Sequence, residues 1–509
     1  MNLITPHYLC ILIASASISA AGSREMHASG RDGNPQTQAQ EYLMNTESQE
    51  WFSGATAAVL AVKVSGDTVA CLNSQKMLIP ASTMKSITTG LAMHALGPDY
   101  RFETRIGYSG EISSGTLHGD LYIMGGGDPT LGSGNRIAET AEKTFARWKA
   151  MLDKAGISRI EGRIIGDGRF FDDAAEIDSW QWNDIGTYYG TGVSGLSFYE
   201  NRQNITFTPS DTPGKPMEAS VGYPQTPWME YRFSCTTGKP GTGNTLYLFT
   251  SPFAPVGEMR GTLAIDRGPR TEQVSNKFPA YTCAWHFMEY LSGAGIRCTG
   301  GAADLGHVFG VPAGEAVPQD SLTVLGSTFS PELSAIVSET NHESNNMYAE
   351  TIFKTLGREY CGEGSYGAAH VAFSSLLKEI GAETSGCRAE DGSGLSRMNS
   401  ISPEFMCSFL TAMMDSPSFG LYAESLPQPG GPGTLLYVMR RYPSDVKARI
   451  RMKSGSMTGV QCYCGYVIPS EGSREETIVF SVMVNGYYGK PACLRSFLDR
   501  LVYLVAQAN

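Results

Sequence analysis

The sequence predicts a mixed α and β fold in which β-rich material is inserted into a unit that also contains long helices. A β-hairpin is predicted near the start, where apolar residues 57–64 and 68–72 flank the turn Ser65-Gly66-Asp67. From residue 100 to about 321 the chain has short alternating segments, many Gly and Pro residues and few long amphipathic patterns. Longer helical periodicity returns after Leu322, which marks the end of the insertion.

The hairpin leads into a helix predicted over residues 82–96, between Pro80 and the stop signal Gly97-Pro98. Ser82 then lies at the helix N-terminus, where unpaired N–H groups and the helix dipole favour an anion. A serine hydroxyl needs a base within hydrogen-bond reach to become a nucleophile. Lys85, one turn later on the same face, is placed to supply that base.

The Ser-x-x-Lys spacing alone is a weak signal, because it occurs about twice by chance in a chain of this length and composition. Ser375-Leu376-Leu377-Lys378 repeats the spacing inside an amphipathic run that has no break before the serine. That context predicts an ordinary helix. The position at the start of a helix therefore distinguishes Ser82 from Ser375.

Two later patterns carry polar groups suited to peptide chemistry. Ser344-Asn345-Asn346 precedes a helical pattern, so that a hydroxyl and an amide two positions apart can face one cleft, although such a triplet is also a common helix cap. Lys453-Ser454-Gly455-Ser456 precedes an apolar strand over residues 460–468. A cation and two hydroxyls on an edge strand can hold a carboxylate, although an exposed strand end would look the same.

Two other features have a structural and a functional interpretation. Residues 125–130, Gly-Gly-Gly-Asp-Pro-Thr, lack the spacing of a nucleotide-binding loop, which favours a structural turn. An aromatic cluster fits either a sugar-binding surface or interdomain packing, and packing is the favoured interpretation. Its members are Trp180, Trp182, Tyr188, Tyr189, Phe198 and Tyr199.

The composition limits the compartment and the partners. The chain has 39 basic and 50 acidic residues and a net charge of −11, which argues against nucleic acid and against anionic membrane surfaces as partners. Residues 1–22 are interpreted as a secretory signal peptide, with a buried strand or an unusual anchor as the alternative because no Lys or Arg precedes the apolar core. Residues 23–40 are predicted to be a flexible leader. No later stretch reaches the ~18 apolar residues that span a bilayer, so we expect a periplasmic or otherwise extracytoplasmic protein without an integral membrane segment.

Cysteine usage fits that compartment. The 11 cysteines become ten if Cys10 leaves with the signal peptide, an even number compatible with disulfides. Cys462 and Cys464 have no nearby histidine, which argues against a zinc site and favours buried thiols on one strand face. We therefore expect no metal site.

The three polar patterns, in this order and context, resemble the D-alanyl-D-alanine carboxypeptidase/endopeptidase family of class C low-molecular-mass penicillin-binding proteins, the S13 peptidases. The resemblance extends from about residue 41 to the C-terminus. Further matching stretches are Gly125 to Leu131, Tyr188-Tyr189-Gly190, Ser344 to Glu350 and Asp391-Gly392-Ser393-Gly394-Leu395-Ser396.

The resemblance implies a fold and a domain organisation. The fold is an α/β (α+β) serine β-lactamase/transpeptidase-like domain, with an antiparallel sheet flanked by helices, built from residues 41–101 and 322–509. Residues 102–199 and 284–321 would form inserted domain II. Residues 200–283 would form a nested, β-rich domain III.

The resemblance also implies a role for each polar residue. Ser82 is the acylated nucleophile, Lys85 its general base and Ser344 a proton relay. The backbone N–H groups of Ser82 and Ser456 form an oxyanion hole. Ser454 replaces a commoner threonine and keeps the hydroxyl. The implied substrate-binding residues are Asn346, Lys453, Ser454, Gly455 and Ser456.

The implied activity is hydrolysis of D-Ala-D-Ala ends or D-alanyl cross-links of peptidoglycan stem peptides through an acyl-Ser82 intermediate. It needs no metal or organic cofactor, and β-lactams would acylate the same serine. A β-lactamase or esterase on the same fold is one alternative, distinguished by an efficient deacylating base. A non-catalytic wall-binding scaffold is another, which the three intact motifs argue against. Oligomeric state does not follow from the sequence.

Overall fold

The computed structural model describes residues 35–312, 314–382, 384–489 and 491–508, so the predicted signal peptide (1–22) and Cys10 lie outside the described residues. The helices are α1 (Pro35–Glu47), α2 (Met84–Ala95), α3 (Ala141–Lys154), α4 (Pro279–Gly293), α5 (Leu333–Glu343), α6 (Asn346–Cys361), α7 (Tyr366–Glu379), α8 (Pro403–Met413), α9 (Phe419–Ser425), α10 (Ser444–Ala448) and α11 (Pro491–Gln507). The strands are β1 (Thr56–Lys63), β2 (Thr68–Leu72), β3 (Glu103–Tyr108), β4 (Glu111–Ser113), β5 (Thr116–His118), β6 (Leu121–Met124), β7 (Arg159–Ile160), β8 (Ile164–Asp167), β9 (Arg202–Thr208), β10 (Glu218–Val221), β11 (Glu230–Gly238), β12 (Tyr247–Ser251), β13 (Ala254–Ala264), β14 (Arg270–Ser275), β15 (Arg297–Cys298), β16 (Ala302–Asp304), β17 (Thr323–Phe329), β18 (Cys387–Arg388), β19 (Ser400–Ile401), β20 (Ile450–Met457), β21 (Val460–Val467) and β22 (Ile478–Asn485).

A five-stranded antiparallel sheet in the order β2-β1-β22-β21-β20 joins the two ends of the chain. The predicted hairpin is present as β1 and β2. The predicted apolar strand is present as β21, and β20, which carries Lys453, lies at the sheet edge. Among the described residues, the outer edge of β20 has no strand partner, and the turn before α2 (Ala81–Thr83) packs against β20.

Helices cover both faces of this sheet, which explains the nearly continuous apolar sequence of its inner strands. On one face, Cys462 and Cys464 pack into a core with α2 and α8. On the other face, Tyr463 and Val467 pack against α11. Alternate residues of β21 therefore enter different cores, and the prediction of two buried thiols on one strand face is confirmed.

The inserted region builds four further sheets. One has the order β16-β8-β6-β3-β17 and a second the order β15-β7-β5-β4, and the two smaller sheets have the orders β10-β9-β14 and β11-β13-β12. The loop at 125–130 packs tightly against the backbone of β3, since a Cβ at Gly126 would lie 2.1 Å from the carbonyl oxygen of Glu103. Asp128 there accepts hydrogen bonds from the backbone and side chain of Thr130. These contacts favour the structural interpretation of the glycine run.

Two predicted domain boundaries cut through elements that belong together. β17 follows the boundary at residue 322, yet it pairs with β3 and so extends an inserted sheet. α4 crosses the boundary at residue 283, and its Phe287 and Leu291 pack with Trp148 in one core. Strand pairing and helix packing between residues distant in sequence determine where these domain boundaries lie. Local composition contains no information about such contacts.

The described end of the predicted leader (35–40) and the described cysteines also differ from the predictions. α1 begins at Pro35, inside the predicted flexible leader (23–40), because Ala39 and Leu43 pack into the core beside α11. In the described ranges every cysteine is a free thiol. Several of them are buried in separate cores, so an even count did not indicate disulfides here. The helix predicted around Ser375 and Lys378 is confirmed as α7.

Candidate active site

Ser82 lies in a one-turn 3-10 helix, Ala81–Thr83, directly before α2. The preceding residue, Ala81, has a left-handed backbone with φ of 47°. Gly394 packs against this turn so closely that a Cβ there would lie 1.9 Å from the Ala81 carbonyl oxygen. Strained backbone of this kind persists only where surrounding packing fixes it. The turn that presents Ser82 is therefore held in place from outside.

Lys85 lies one turn further and is fully buried. Its Nζ donates to Ser82 Oγ at 3.0 Å, to Asn346 Oδ1 at 2.6 Å and to the backbone oxygen of Ser393 at 2.7 Å. These three contacts match the three donors of an ammonium group. They orient Nζ toward the Ser82 hydroxyl.

The pKa of Lys85 lies well below its usual value. Burial is the main cause, and the positive charge of Lys453 lowers the pKa further, while Asp391 and Glu350 raise it. A lowered pKa increases the fraction of neutral amine near pH 7. Only the neutral amine can accept the hydroxyl proton of Ser82.

A buried acidic pair behind Lys85 holds the loop that contains Ser393. Glu350 accepts hydrogen bonds from the backbone N–H groups of Gly392 and Ser393, and Asp391 accepts from those of Gly394 and Ser396. Burial, with the nearby charge of Asp391, raises the pKa of Glu350 to about 8. The pair fixes the carbonyl that orients Lys85.

Ser344 and Asn346 lie at the junction of α5 and α6. Ser344 has a left-handed backbone (φ 57°) that ends α5, and the Asn345 side chain caps α6 by accepting from the N–H of Tyr348. Asn346 Oδ1 accepts from Lys85, and its Nδ2 donates to the carbonyl oxygen of Tyr189 at 2.9 Å. The junction therefore joins Lys85 to the inserted region.

The inserted region contacts this junction a second time. Tyr199, Glu200 and Asn201 are three consecutive residues with positive φ, and this left-handed turn directs the Glu200 carboxylate inward. Glu200 accepts from Tyr348 Oη at 2.9 Å and from Asn345 Nδ2 at 3.4 Å. The carboxylate thus anchors the first turn of α6.

Lys453 is a second fully buried lysine in the site. Its Nζ donates to Ser344 Oγ at 2.9 Å and to the Ser454 carbonyl oxygen at 3.0 Å. Burial lowers the pKa of Lys453 to about 7. Its charge is therefore sensitive to pH and to any anion that binds beside it.

The remaining predicted residues follow Lys453 along β20. Gly455 faces the serine turn, where a Cβ would lie 2.5 Å from the Pro80 carbonyl oxygen and 2.9 Å from Ser82 N. Glycine therefore permits the close approach of β20 to the serine turn. Ser454 Oγ lies 3.4 Å from Thr434 Oγ1, and the Ser456 side chain is exposed.

These residues surround one cleft of about 1540 Å³, lined by Ser82, Ser344, Asn346, Ser454 and Ser456. Residues of the inserted region form the opposite wall, among them Asn183, Tyr188, Tyr189, Glu200 and Gln273. The structure thus brings together, from three distant segments, the eight residues that the sequence analysis proposed for the site. The sequence prediction assigned no role to Glu350, Asp391 or Ser393, although the stretch from Asp391 to Ser396 stood out as a match to the family.

The aromatic cluster divides into two groups. Trp180 is buried and its Nε1 donates to Asp391 Oδ2 at 2.9 Å, which ties the inserted region to the loop behind Lys85. Packing is confirmed for this residue. Trp182 and Tyr188 are 60% and 49% exposed, however, so packing does not account for them.

The architecture places the chain in a structural class. A crystal structure of penicillin binding protein 4 from Haemophilus influenzae matches with a TM-score of 0.76 at 24% identity, covering 88% of this chain and 96% of that chain. A structure of the same protein complexed with a novel β-lactam matches with a TM-score of 0.70 at 22% identity, covering 88% and 96%. The predicted transpeptidase-like fold is therefore confirmed.

The family follows from the sequence comparison. The chain belongs to the D-Ala-D-Ala carboxypeptidase 3 (S13) family, whose model matches residues 39–507, and it is a serine peptidase. A D-alanyl-D-alanine carboxypeptidase of an Actinomadura species is 29% identical over 456 residues, covering 86% of this chain and 79% of the relative. The D-alanyl-D-alanine carboxypeptidase DacB of Haemophilus influenzae is 24% identical over 432 residues, covering 82% and 83%.

Proposed function

We propose that the chain hydrolyses the terminal D-Ala-D-Ala bond and D-alanyl cross-links of peptidoglycan stem peptides through an acyl-enzyme at Ser82. The observation that carries this proposal is the 3.0 Å contact between Lys85 Nζ and Ser82 Oγ at the wall of the cleft. A buried lysine with a lowered pKa beside a partly exposed serine is a base paired with its nucleophile.

Acylation begins when neutral Lys85 takes the Ser82 proton and Oγ attacks the peptide carbonyl carbon. The backbone N–H groups of Ser82 and Ser456 receive the oxyanion. The C–N bond then breaks, and the proton that Lys85 took from Ser82 passes through Ser344 to the departing amine, which leaves Lys85 neutral again. Water hydrolyses the ester, releases the shortened peptide as a carboxylic acid and restores the Ser82 hydroxyl.

Substrate binding uses the other predicted residues. Protonated Lys453, with the hydroxyls of Ser454 and Ser456, would hold the terminal carboxylate, and Asn346 would hold a substrate amide. Gly455 lets the substrate backbone approach β20 as an added strand. Every step uses groups of this chain.

We further propose that the protein acts outside the cytoplasm, after removal of a signal peptide within residues 1–22. Cell-wall peptide is found there, and the family consists of D-Ala-D-Ala carboxypeptidases. In the described part of the chain, no helix combines the length and the apolar composition needed to cross a bilayer. We also propose the domain division predicted from the sequence with two changes: β17 and the whole of α4 belong to domain II.

Acylation by benzylpenicillin tests the proposal. After incubation with the drug, intact-mass spectrometry of the purified protein should show one stable covalent adduct, and peptide mapping should place it on Ser82. An adduct on another residue would contradict the assignment of the nucleophile. Turnover of the drug without an accumulating adduct would favour a β-lactamase.

The charge of Lys453 should make carboxylate binding pH-dependent. Because its pKa is lowered to about 7, the side chain is a cation below pH 7 and becomes neutral above it. Affinity for a D-Ala-D-Ala peptide acid should therefore fall above pH 7, by at most about tenfold per pH unit, while affinity for the matching C-terminal amide stays flat. Calorimetry on the Ser82→Ala variant, which cannot turn over substrate, measures both. If the affinities for the acid and the amide changed with pH in the same way, Lys453 would not be the group that binds the carboxylate.

A further inference from the structure

A second cavity of about 480 Å³ adjoins the cleft beside the inserted region. Asn183, Tyr188, Tyr189 and Gln273 line both spaces. The carbonyl oxygen of Tyr189 accepts from Asn346, so this shared wall begins directly at the serine site. A substrate bound at Ser82 can therefore continue into the second cavity without leaving the protein surface.

Exposed aromatic rings lie at the far end of this route. Trp182 stacks on Phe249 with ring centroids 6.4 Å apart and an interplanar angle of 21°. Tyr247 meets Phe249 edge-on at 4.8 Å, and Arg260 lies 5.0 Å from the centre of the Phe249 ring. Trp182 remains 60% exposed and Tyr247 38%. We call Trp182, Tyr247 and Phe249 the aromatic platform.

The segment that carries Trp182 is fixed to the inserted sheets. Thr187 forms a β-bridge with Val274, and the N–H of Ser275 donates to the Gly186 carbonyl oxygen at 3.1 Å. A Cβ at Gly186 would lie 1.7 Å from the Leu248 carbonyl oxygen, so the segment packs directly on β12. The platform and the shared wall are therefore held together as one surface.

We infer that the aromatic platform and the second cavity bind an amino sugar of the glycan strand to which the stem peptide is attached. A pyranose ring has a face of C–H groups that packs on an aromatic ring, and its hydroxyl and N-acetyl groups need hydrogen-bond partners. The platform supplies the rings, and Asn183 and Gln273 supply amides beside them. This inference rests on the proposed function, since the sugar is the other end of the same substrate.

The test compares two forms of one cross-linked stem peptide, with and without its disaccharides. The wild-type protein should cleave the disaccharide form with kcat/KM about three to ten times higher, the scale of one aromatic contact. Trp182→Ala should bring that ratio close to one. Cleavage of the sugar-free peptide and acylation by benzylpenicillin should not change.

Phe253→Ala is the matched control. Phe253 is an exposed aromatic residue (84%) between β12 and β13. Trp182 stacks on Phe249, which lines the second cavity, whereas Phe253 makes no ring contact with the platform in the described part of the chain and lines neither cavity, so its removal should keep the wild-type ratio. A wild-type ratio of one would overturn the inference, as would an equal loss on both substrates in Trp182→Ala. Wild-type protein that acylates with penicillin and cleaves neither peptide would overturn the proposed function instead. Retained ratios in Trp182→Ala would indicate that the platform serves another partner, such as a protein.

Discussion

Replacing Ser82 with alanine should abolish hydrolysis of D-Ala-D-Ala peptides and acylation by benzylpenicillin, with a loss of about 10⁴-fold or more. Ser82 Oγ is the one hydroxyl among the three acceptors described for Lys85 Nζ, and alanine removes it without adding bulk. Steady-state hydrolysis and intact mass after drug treatment measure the two losses.

Ser375→Ala provides the control for this variant. Ser375 has the same spacing to a lysine but lies in the middle of α7, away from the cleft. Both activities should stay at the wild-type level. Residual acylation of Ser82→Ala at the wild-type rate would exclude Ser82 as the nucleophile.

Lys85→Met should reduce the acylation rate by about 10²–10⁴-fold, the range of a general base. Methionine is close to lysine in length and cannot accept a proton. The free energy of unfolding should change by less than about 2 kcal/mol, because relief of a buried charge opposes the loss of hydrogen bonds to Asn346 and Ser393. Stopped-flow acylation and denaturant unfolding measure the two quantities.

Lys354→Met is the control for Lys85→Met, because it should reduce stability and leave the acylation rate unchanged. Lys354 is also fully buried, and it forms an ion pair with Asp172 of the inserted region. Removing its charge should lower the free energy of unfolding by about 1–3 kcal/mol and leave acylation unchanged below the unfolding transition. If Lys354→Met slowed acylation as much as Lys85→Met, loss of a buried charge would explain both and the base assignment would fail.

The sequence predicted those parts of the site that local pattern determines. Ser82 and Lys85 are one helical turn apart, which places them on a common face, and Lys453 to Ser456 follow one another along a single strand. A helix start and an edge strand are also signalled locally. The prediction that these two segments meet in one cleft came from the family resemblance, because no local sequence pattern indicates that β20 lies beside α2.

The residues without a predicted role act through contacts distant in sequence. Glu350 holds the backbone of Gly392 and Ser393 from the second turn of α6, where the sequence has the pattern of an ordinary buried helix. The placement of β17 in an inserted sheet depends on pairing with β3. Neither periodicity nor composition contains such pairings, and the same limit applies to α1, whose packing partner α11 is at the other end of the chain.

The central sheet has a consequence for the nascent protein. β1 is synthesised early, but it pairs with β22, and Ile79 N donates to Asn485 Oδ1 across 406 positions. A chain still on the ribosome therefore contains Ser82 without β20, whose Lys453 and Gly455 complete the cleft. Forming these distant contacts is slow because a long loop must close first. The site is thus complete only after β20 and β22, the late strands of the chain, have docked on the elements that were made first.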